Sequence, residues 1–376
     1  MKVSIVKCPD YEQKNIDESI KKAVNHLGGF EKFIKKGDKV LIKPNLLAGK
    51  APEKAVTTHP SLVSAVIKFV KKQGGKPYVG DSPGGATPSR EAAKKAGFIE
   101  ACKNQGAEFI DLSKPMVVKN PNAEKYKNMV LAERLSEMDL VINMPKLKTH
   151  ALTVMTGAVK NLFGLIPGKR KAQLHLKYSS NLDFSDMLLD IYLYVKPELT
   201  IMDAVVGMQG AGPSNGSPIQ TSLIIAGEDA LGVDYYASMA AGIEHTRIPT
   251  MVRAKKRGML EKKFLLKGEK IKNIRVKYEL PHQVGLEVLP DFIKKFFYDK
   301  IIPYPKIKPN CVGCSVCAKN CPAETITIRN KKAMIDYSNC ISCFCCQELC
   351  PYAAIDVKES AFSKLFNFGV KIFHRR

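Results

Sequence analysis

Two apolar periods alternate along most of the chain. Met1-Lys-Val-Ser-Ile-Val-Lys-Cys8 alternates apolar and polar residues as a strand does. Asn15 to Leu27 then places Ile16, Ile20, Ala23, Val24 and Leu27 on one helix face, closed by Gly28-Gly29. Lys39-Val-Leu-Ile-Lys43 reads as a short buried strand ended by Pro44-Asn45, and a helix from about Pro60, with Thr58 or His59 near its cap, carries Leu62, Val63, Val66 and Val70 to Gly74-Gly75. Pro77 to Asp81 is the next strand, Ser89 to Ala96 a helix, and Ala107 to Leu112 a strand. Further on, Asp139 to Asn143, Leu199 to Asp203 and Thr221 to Ala226 read as strands, and Asp234 to Ala241 as a helix. Strands alternating with helices through short glycine turns predict an α/β fold, a mostly parallel sheet sandwiched by helices.

The alternation fails towards the C-terminus. Arg253 to Lys277 is dense in lysine and arginine with few apolar positions, and is expected to be a solvated surface excursion. Residues 291–309, with Phe292 to Tyr298 and then Pro303, Pro305 and Pro309, are expected to be a stiff linker. A small α+β unit follows at 310–358. The tail 359–376 carries Phe362, Leu365, Phe366, Val370 and Phe373 at helical spacing beside Lys364, Lys371, Arg375 and Arg376. Such a basic amphipathic helix is expected to pack on its own domain in preference to a membrane surface. The expected division is therefore an α/β domain at 1–290, the linker, the small unit and the tail.

Within 310–358 the pattern is set by cysteine. Cys311-Val-Gly-Cys314-Ser-Val-Cys317-Ala-Lys-Asn-Cys321-Pro322 is repeated 29 residues later as Cys340-Ile-Ser-Cys343-Phe-Cys-Cys346-Gln-Glu-Leu-Cys350-Pro351. In this C-x2-C-x2-C-x3-C-P spacing three thiolates cap one face of an iron–sulfur cube, and the fourth, too far along the chain, ligates the other cluster. Cluster one takes Cys311, Cys314, Cys317 and Cys350; cluster two takes Cys340, Cys343, Cys346 and Cys321. Asn310 and Asn339, and Ile326 and Ile328 against Ile355 and Val357, extend the repeat. Zinc sites take four ligands each and fit a three-plus-one pattern poorly, and disulfides require an oxidising compartment. The stretch resembles the two-cluster bacterial ferredoxin module, implying two 4Fe–4S clusters. Cys345 stands where the first repeat has Val316 and is expected to pack as a small apolar residue.

Lys and Arg number 59 against 36 Asp and Glu, and the formal charge of +23 favours anionic partners. Acidic redox proteins, carboxylated or phosphorylated substrates, anionic lipid and nucleic acid all qualify, and a lysine-rich proteome gives the same figure. No nucleic-acid partner is expected, because no recognition helix, RNA-binding signature or aromatic–basic stripe is present. No apolar run is long enough for a transmembrane segment. The N-terminus lacks the pattern of a signal peptide, which together with the cluster thiolates implies a reducing cytoplasm.

Open parallel sheets bind ligands at the carboxyl ends of their strands, and four such ends are polar: Lys43-Pro-Asn45, Asp81-Ser-Pro-Gly-Gly85, Asn143 to His150, and Asp203 to Gly212. Neither a dinucleotide fingerprint nor a P-loop is present. Lys43, Asn45, Ser82, Gly84, Lys146, Thr149, Lys160, Asn161, Asp203, Gly210 and Gly212 are the candidate anion-binding residues; His150, Lys148 and Asp81 are the catalytic candidates, with His150 as proton donor. Asp81, Asp203 and Asp234 have metal binding or helix capping as alternatives.

Lys43-Pro-Asn-Leu46, Gly80-Asp-Ser-Pro-Gly84, Pro145-Lys-Leu-Lys-Thr-His150, Gly157-Ala-Val-Lys-Asn-Leu-Phe-Gly164 and Asp203 through Gly212 resemble the prokaryotic family called domain of unknown function 362 over roughly residues 1–290. The resemblance implies an α/β domain with a polar site built from those loops, often joined to a two-cluster ferredoxin module, and supplies no reaction. The expected function is that of an iron–sulfur oxidoreductase in which the two clusters exchange electrons with an anionic-substrate site in the α/β domain, under anaerobic handling. The alternative is a non-enzymatic electron carrier whose α/β domain docks onto a partner redox enzyme.

Overall fold

The computed structural model describes residues 1–85, 87–281 and 303–358. Its first two-thirds alternate as the apolar pattern requires: β1 (Lys2–Lys7), α1 (Gln13–Asn25), β2 (Lys39–Pro44), α2 (Pro60–Lys72), β3 (Lys76–Val79), α3 (Ser89–Lys95), α4 (Phe98–Gln105) and β4 (Glu108–Phe109). His59 is the cap of α2, its side chain accepting from the Ser61 amide. A separate hairpin follows, β5 (Pro115–Lys119) with β6 (Asn128–Ala132). Then come β7 (Leu140–Met144), β8 (Lys146–His150), β9 (Val154–Thr156), α5 (Ala158–Asn161), α6 (Arg170–Lys177) and α7 (Asn181–Val195). The large unit closes with β10 (Leu199–Gln209), β11 (Ser217–Gly227), α8 (Ala230–Ala240), α9 (Pro249–Lys256) and β12 (Leu265–Gly268).

One sheet runs β12-β1-β11-β10-β7-β2-β3-β4, with β8 and β9 branching from β10. Six of its pairings are parallel; β1 with β11, β11 with β10 and β8 with β9 are antiparallel. The period of two along each strand divides the core. Val40, Ile42, Ile142, Ile201 and Ile224 face α1, α2 and α4, while Leu41, Val141, Met202 and Leu223 face α7, α8 and α9. The fold is thus a mostly parallel sheet with helices on both faces.

β10 and β11 run well beyond the expected 199–203 and 221–226, each reaching 11 residues, with a bulge between Ala204 and Val206. Polar and glycine residues hide this extension in the sequence. Gly207 is there because the Tyr278 hydroxyl lies where a side chain would go.

The expected surface excursion at Arg253–Lys277 is corrected in its first part. Arg253 and Arg257, on and just after α9, turn inward to carboxylates one helical turn apart on α7. Arg253 Nη2 lies 2.6 Å from Asp186 Oδ2, and Arg257 Nη2 2.8 Å from Asp190 Oδ1. Asp190 also accepts the backbone N–H groups of Glu124, Lys125 and Tyr126, tying down the β5–β6 connection.

The C-terminal unit is a repeat in three dimensions. β13 (Tyr304–Ile307), α10 (Val316–Lys319), β14 (Ile326–Arg329), β15 (Lys332–Ile335), α11 (Cys345–Leu349) and β16 (Ile355–Lys358) form two hairpin-like sheets, β13 with β16 and β14 with β15. Left-handed backbone recurs at matched positions of the repeat: Gly313 and Ser342, Ser315 and Phe344, Glu324 and Ala353. Pro305 lies inside β13, so the end of the expected linker belongs to this unit. Phe292 to Tyr298 and the 359–376 tail lie outside the described residues. No helix among the described residues is long and apolar enough to cross a membrane.

Replacing Asp190 by Ala leaves three backbone amides without their acceptor and takes from Arg257 its 2.8 Å carboxylate partner, with Glu124 and the Asp186 carbonyl still in reach. The expected loss is about 3–5 kcal/mol of unfolding free energy, measured by denaturant titration; a loss within the error of the measurement would show that the pair is immaterial.

Candidate functional site

Two hollows lie in the C-terminal unit, each ringed by four cysteines drawn from both repeats. One is lined by Cys311, Cys314, Cys317 and Cys350, the other by Cys321, Cys340, Cys343 and Cys346. The left-handed residues curl each C-x2-C-x2-C loop about its hollow, and the Ala333 and Ala354 amides donate to Cys311 Sγ at 3.4 Å and Cys350 Sγ at 3.3 Å. Among the described residues no group of three or more His, Cys, Asp or Glu is arranged to hold a single metal ion. Four sulfurs around a hollow, with backbone N–H groups aimed at sulfur, fit an iron–sulfur cluster. Cys345 borders neither hollow; it is buried in the wall described next.

The C-terminal unit is docked on the large one through α11. Gln347 is fully buried; its Nε2 donates to Ala211 O at 2.9 Å, and its backbone O accepts from Asn215 Nδ2 at 2.7 Å. Leu349 packs where Gly84 and Gly85 leave room. Both clamping residues of the large unit sit in the connection between β10 and β11, which explains why that ribbon extends so far.

Between the two units lies a cavity of about 350 Å³. The ends of β2 and β3 form its floor. Lys43 and Asp81 pair there at 2.8 Å, and Asp81 also accepts from the Leu46 amide at 2.8 Å and the Ser82 amide at 3.0 Å. Gly164 is required beside them, because a Cβ there would run into Asp81 Oδ1 and Lys43 Nζ; a Cβ at Gly157 would strike Asp234 in the same way. From the C-terminal unit Cys321, Pro322, Cys345, Glu348 and Leu349 complete the wall.

Three lysines bring charge to this space. Lys148 Nζ donates to Asn45 Oδ1 at 2.8 Å and Val56 O at 2.7 Å. Lys171 Nζ donates to Ser82 Oγ at 2.8 Å and Ile166 O at 2.6 Å. Lys160 has no hydrogen bond or ion pair among the described residues. Burial pushes all three below the ordinary lysine value, Lys148 and Lys171 to about 7, with Lys160 adding to the effect on Lys148. His175 also lines the cavity, stacked on Phe184 at 4.3 Å, and burial pushes it down to about 3.

Of the residues expected from sequence, Asn45, Asp81, Ser82, Gly84, Lys148, Lys160 and Asn161 line the cavity, with Lys43 directly behind Asp81. The others are placed elsewhere. Lys146 pairs with Asp203 at 2.8 Å, and Tyr11 bonds to both, at 2.7 and 2.9 Å, in a closed network. Thr149 donates to Gly210 O at 2.9 Å, and a Cβ at Gly212 would meet Thr149. Lys146, Thr149, Asp203, Gly210 and Gly212 thus take packing contacts and do not line the cavity. Asp234 accepts from the Val159 amide at 3.0 Å, capping α5 rather than its own helix.

His150 also departs from its expected role. It does not line the cavity. Its Nδ1 accepts from the Leu152 and Thr153 amides at 3.0 and 3.3 Å, which leaves the ring proton on Nε2, 3.9 Å from Glu348 Oε2. Burial, and then the nearby Lys160, hold it well below the usual histidine value, so it is neutral at pH 7. Lys171, His175 and Glu348 were missed. Lys171 lies in the basic run Lys169-Arg170-Lys171, but nothing local in the sequence marks it, His175 or Glu348 as facing the site.

Residues 40–239 match the family described as domain of unknown function 362, and residues 310–354 match a 4Fe-4S dicluster domain. The first match covers more than half of the chain, and the chain belongs to that family. Its C-terminal region is a ferredoxin-like 4Fe–4S-binding region, suited to electron transfer. A thylakoid-associated protein of Synechocystis is 33% identical over 258 residues, covering 68% of this chain and 79% of that protein. The lactate racemase apoprotein of Thermoanaerobacterium thermosaccharolyticum is similar at 15% identity and a TM-score of 0.40, over 62% of this chain and 56% of that one.

His175 makes a pH prediction. Its folded value lies below its unfolded one of 6.5, so its contribution to stability is present above pH 6.5 and is lost as pH falls towards 3. Unfolding free energy should therefore fall between pH 6.5 and the ordinary carboxylate range. His175→Gln should flatten that slope; an unchanged slope would mean that His175 is already accessible to protons.

Proposed function

We propose that the chain is an iron–sulfur oxidoreductase with two 4Fe–4S clusters, acting on an anionic substrate held in the cavity between the two units. The observation that carries this is the position of Cys321, which borders both the second hollow and the cavity. Cys311, Cys314, Cys317 and Cys350 hold the first cluster, and Cys340, Cys343, Cys346 and Cys321 the second. Such clusters supply single electrons at potentials that can lie very low.

The chain's own residues do the rest. Lys160 and Lys148 bind the anion, and Phe163, Leu47 and Leu349 exclude water, which strengthens every charge interaction inside. Lys148 Nζ, near pH 7, gives up a proton at neutral pH and takes the donor role that the sequence assigned to His150. Asp81, committed to Lys43, fixes the floor. The proposed compartment is a reducing cytoplasm, where the thiolates stay available. The association named for the thylakoid relative is reason to examine membrane fractions too.

A second reading, a carrier that docks on a partner enzyme, draws support from Val312 and Tyr352, each about half exposed beside Cys314 at the first hollow. One experiment separates the two. Anaerobic protein with dithionite-reduced clusters is mixed with a panel of carboxylates and phosphoesters, and cluster absorbance is followed. Reoxidation by a member of the panel, slowed at least tenfold in Lys148→Met, is expected; none by any member, with rapid reoxidation by a carrier protein, would establish the second reading.

The ligand register has its own check. Cys345→Ala should leave about eight irons per chain, because its thiol belongs to neither hollow. Loss of half the iron would overturn the assignment.

A further inference from the structure

We infer that the cavity takes a ligand with two negative charges, a dicarboxylate or a phosphate monoester, and that Lys160 is its principal contact. This rests on the reading of the cavity as a substrate site. The charge count points there. Lys148, Lys160 and Lys171 bring three amines, each positive when protonated, to the interior wall. Asp81 is matched by Lys43 at 2.8 Å, which leaves Glu348, partly exposed, as the inner-wall carboxylate with no lysine partner among the described residues. Lys169, Lys319 and Glu324 are exposed at the rim, where water screens them. When all three amines are protonated, two of their positive charges therefore stand unmatched by the side chains of the wall. Counted over the side chains of the wall alone, a monoanion would leave one of them and a dianion none.

The donor inventory gives the orientation. An ammonium has three N–H groups. Lys171 directs its own at Ser82, Ile166 and, at 3.4 Å, Pro83, and Lys148 has one left over from Asn45 and Val56. Lys160 keeps all three among the described residues. Among the described residues His175 Nδ1 and Asn161 Oδ1, both in the lining, are also buried without a hydrogen-bond partner. The cavity thus offers a cluster of uncommitted polar atoms around one amine, beside the apolar Phe163 and Leu176. An anionic end and a small apolar body fill about 350 Å³.

Binding should be linked to protons. Lys148 and Lys171 sit near 7, so above that pH they are partly neutral and a dianion must draw protons in. The groups facing these amines are Glu348 and Cys345 from the C-terminal unit, and Lys43, Asp81, Lys146 and His150 from the large one. Affinity should fall as pH rises above 7.

The test is calorimetry on anaerobic, cluster-loaded protein, with inorganic phosphate and succinate as dianions and acetate as monoanion, at pH 8 in two buffers of different ionisation heat. The expected result is a dianion bound at least tenfold more tightly than acetate, with net proton uptake, and a tenfold or larger loss in Lys160→Met. Phosphate alone identifies the phosphoryl class, succinate alone the dicarboxylate class. The unliganded Lys160→Met protein should melt at a higher temperature than the parent, because an unmatched buried charge has been removed. Equal binding of acetate, no binding of either dianion, or an unchanged affinity in Lys160→Met would overturn the inference. Should Lys160→Met fail to fold, Lys160→Gln takes its place, and the rise in melting temperature with phosphate, expected in the parent alone, gives the same decision. Because binding is read without turnover, dianion binding with no reoxidation of the clusters by any substrate would sink the oxidoreductase reading and leave this one standing; reoxidation without dianion preference would do the reverse.

Discussion

Gln347 fixes the relation between the two halves of the molecule. It lies on a five-residue helix between two cysteines of the second repeat, and it is sealed against the β10–β11 connection by one side-chain and one backbone hydrogen bond. Breaking the Nε2 bond in so buried a seam would cost about 1–3 kcal/mol, so the helix has little freedom to slide. That restraint presents Cys321, Glu348 and Leu349 to the strand ends of the large unit.

On the other side of the cavity the constraint is close approach. Gly157 and Gly164 have Asp234 and Asp81 pressed against them, so the segment between them can lie flat across the strand ends. Lys160 and Asn161 are carried on that segment. Asn161 Nδ2 donates to Asn143 Oδ1 at 2.8 Å, and Asn143 in turn to Ala158 O at 2.9 Å, which fastens it to β7. A lysine held on so rigid a support, with no acceptor among the described residues, suits the anion-binding role proposed for it.

How much of this the sequence carried depended on whether the signal was local. The cysteine spacing was legible because ligation chemistry sets it within 12 residues, and the hollows use the same eight positions. Strand ends were legible too, since apolar runs stop where the sheet stops; that is why Asn45, Asp81 and Lys148 were found. What failed was pairing at long range. Arg253 and Arg257 read as a solvated run because Asp186 and Asp190, their partners, lie more than 60 residues away. Lys146 and Lys148 look equivalent in Lys146-Leu-Lys148, yet Lys146 meets Asp203 and is neutralised, whereas Lys148 meets only neutral acceptors. Alternation along β8 does not separate them, since both point to the same face; the difference comes from β10. His150 carried the right chemistry for a proton donor, but two backbone amides hold its Nδ1.

The proposed anion site and the second cysteine hollow share a wall at Cys321, whereas the first hollow does not border the cavity. Electron paramagnetic resonance of the dithionite-reduced protein, recorded with and without saturating phosphate or succinate, tests it directly. The account predicts that the anion shifts the signal of one cluster, and that the shift disappears in Lys160→Met while the unliganded spectrum stays the same. A spectrum indifferent to anion, or one in which both clusters shift equally, would contradict it.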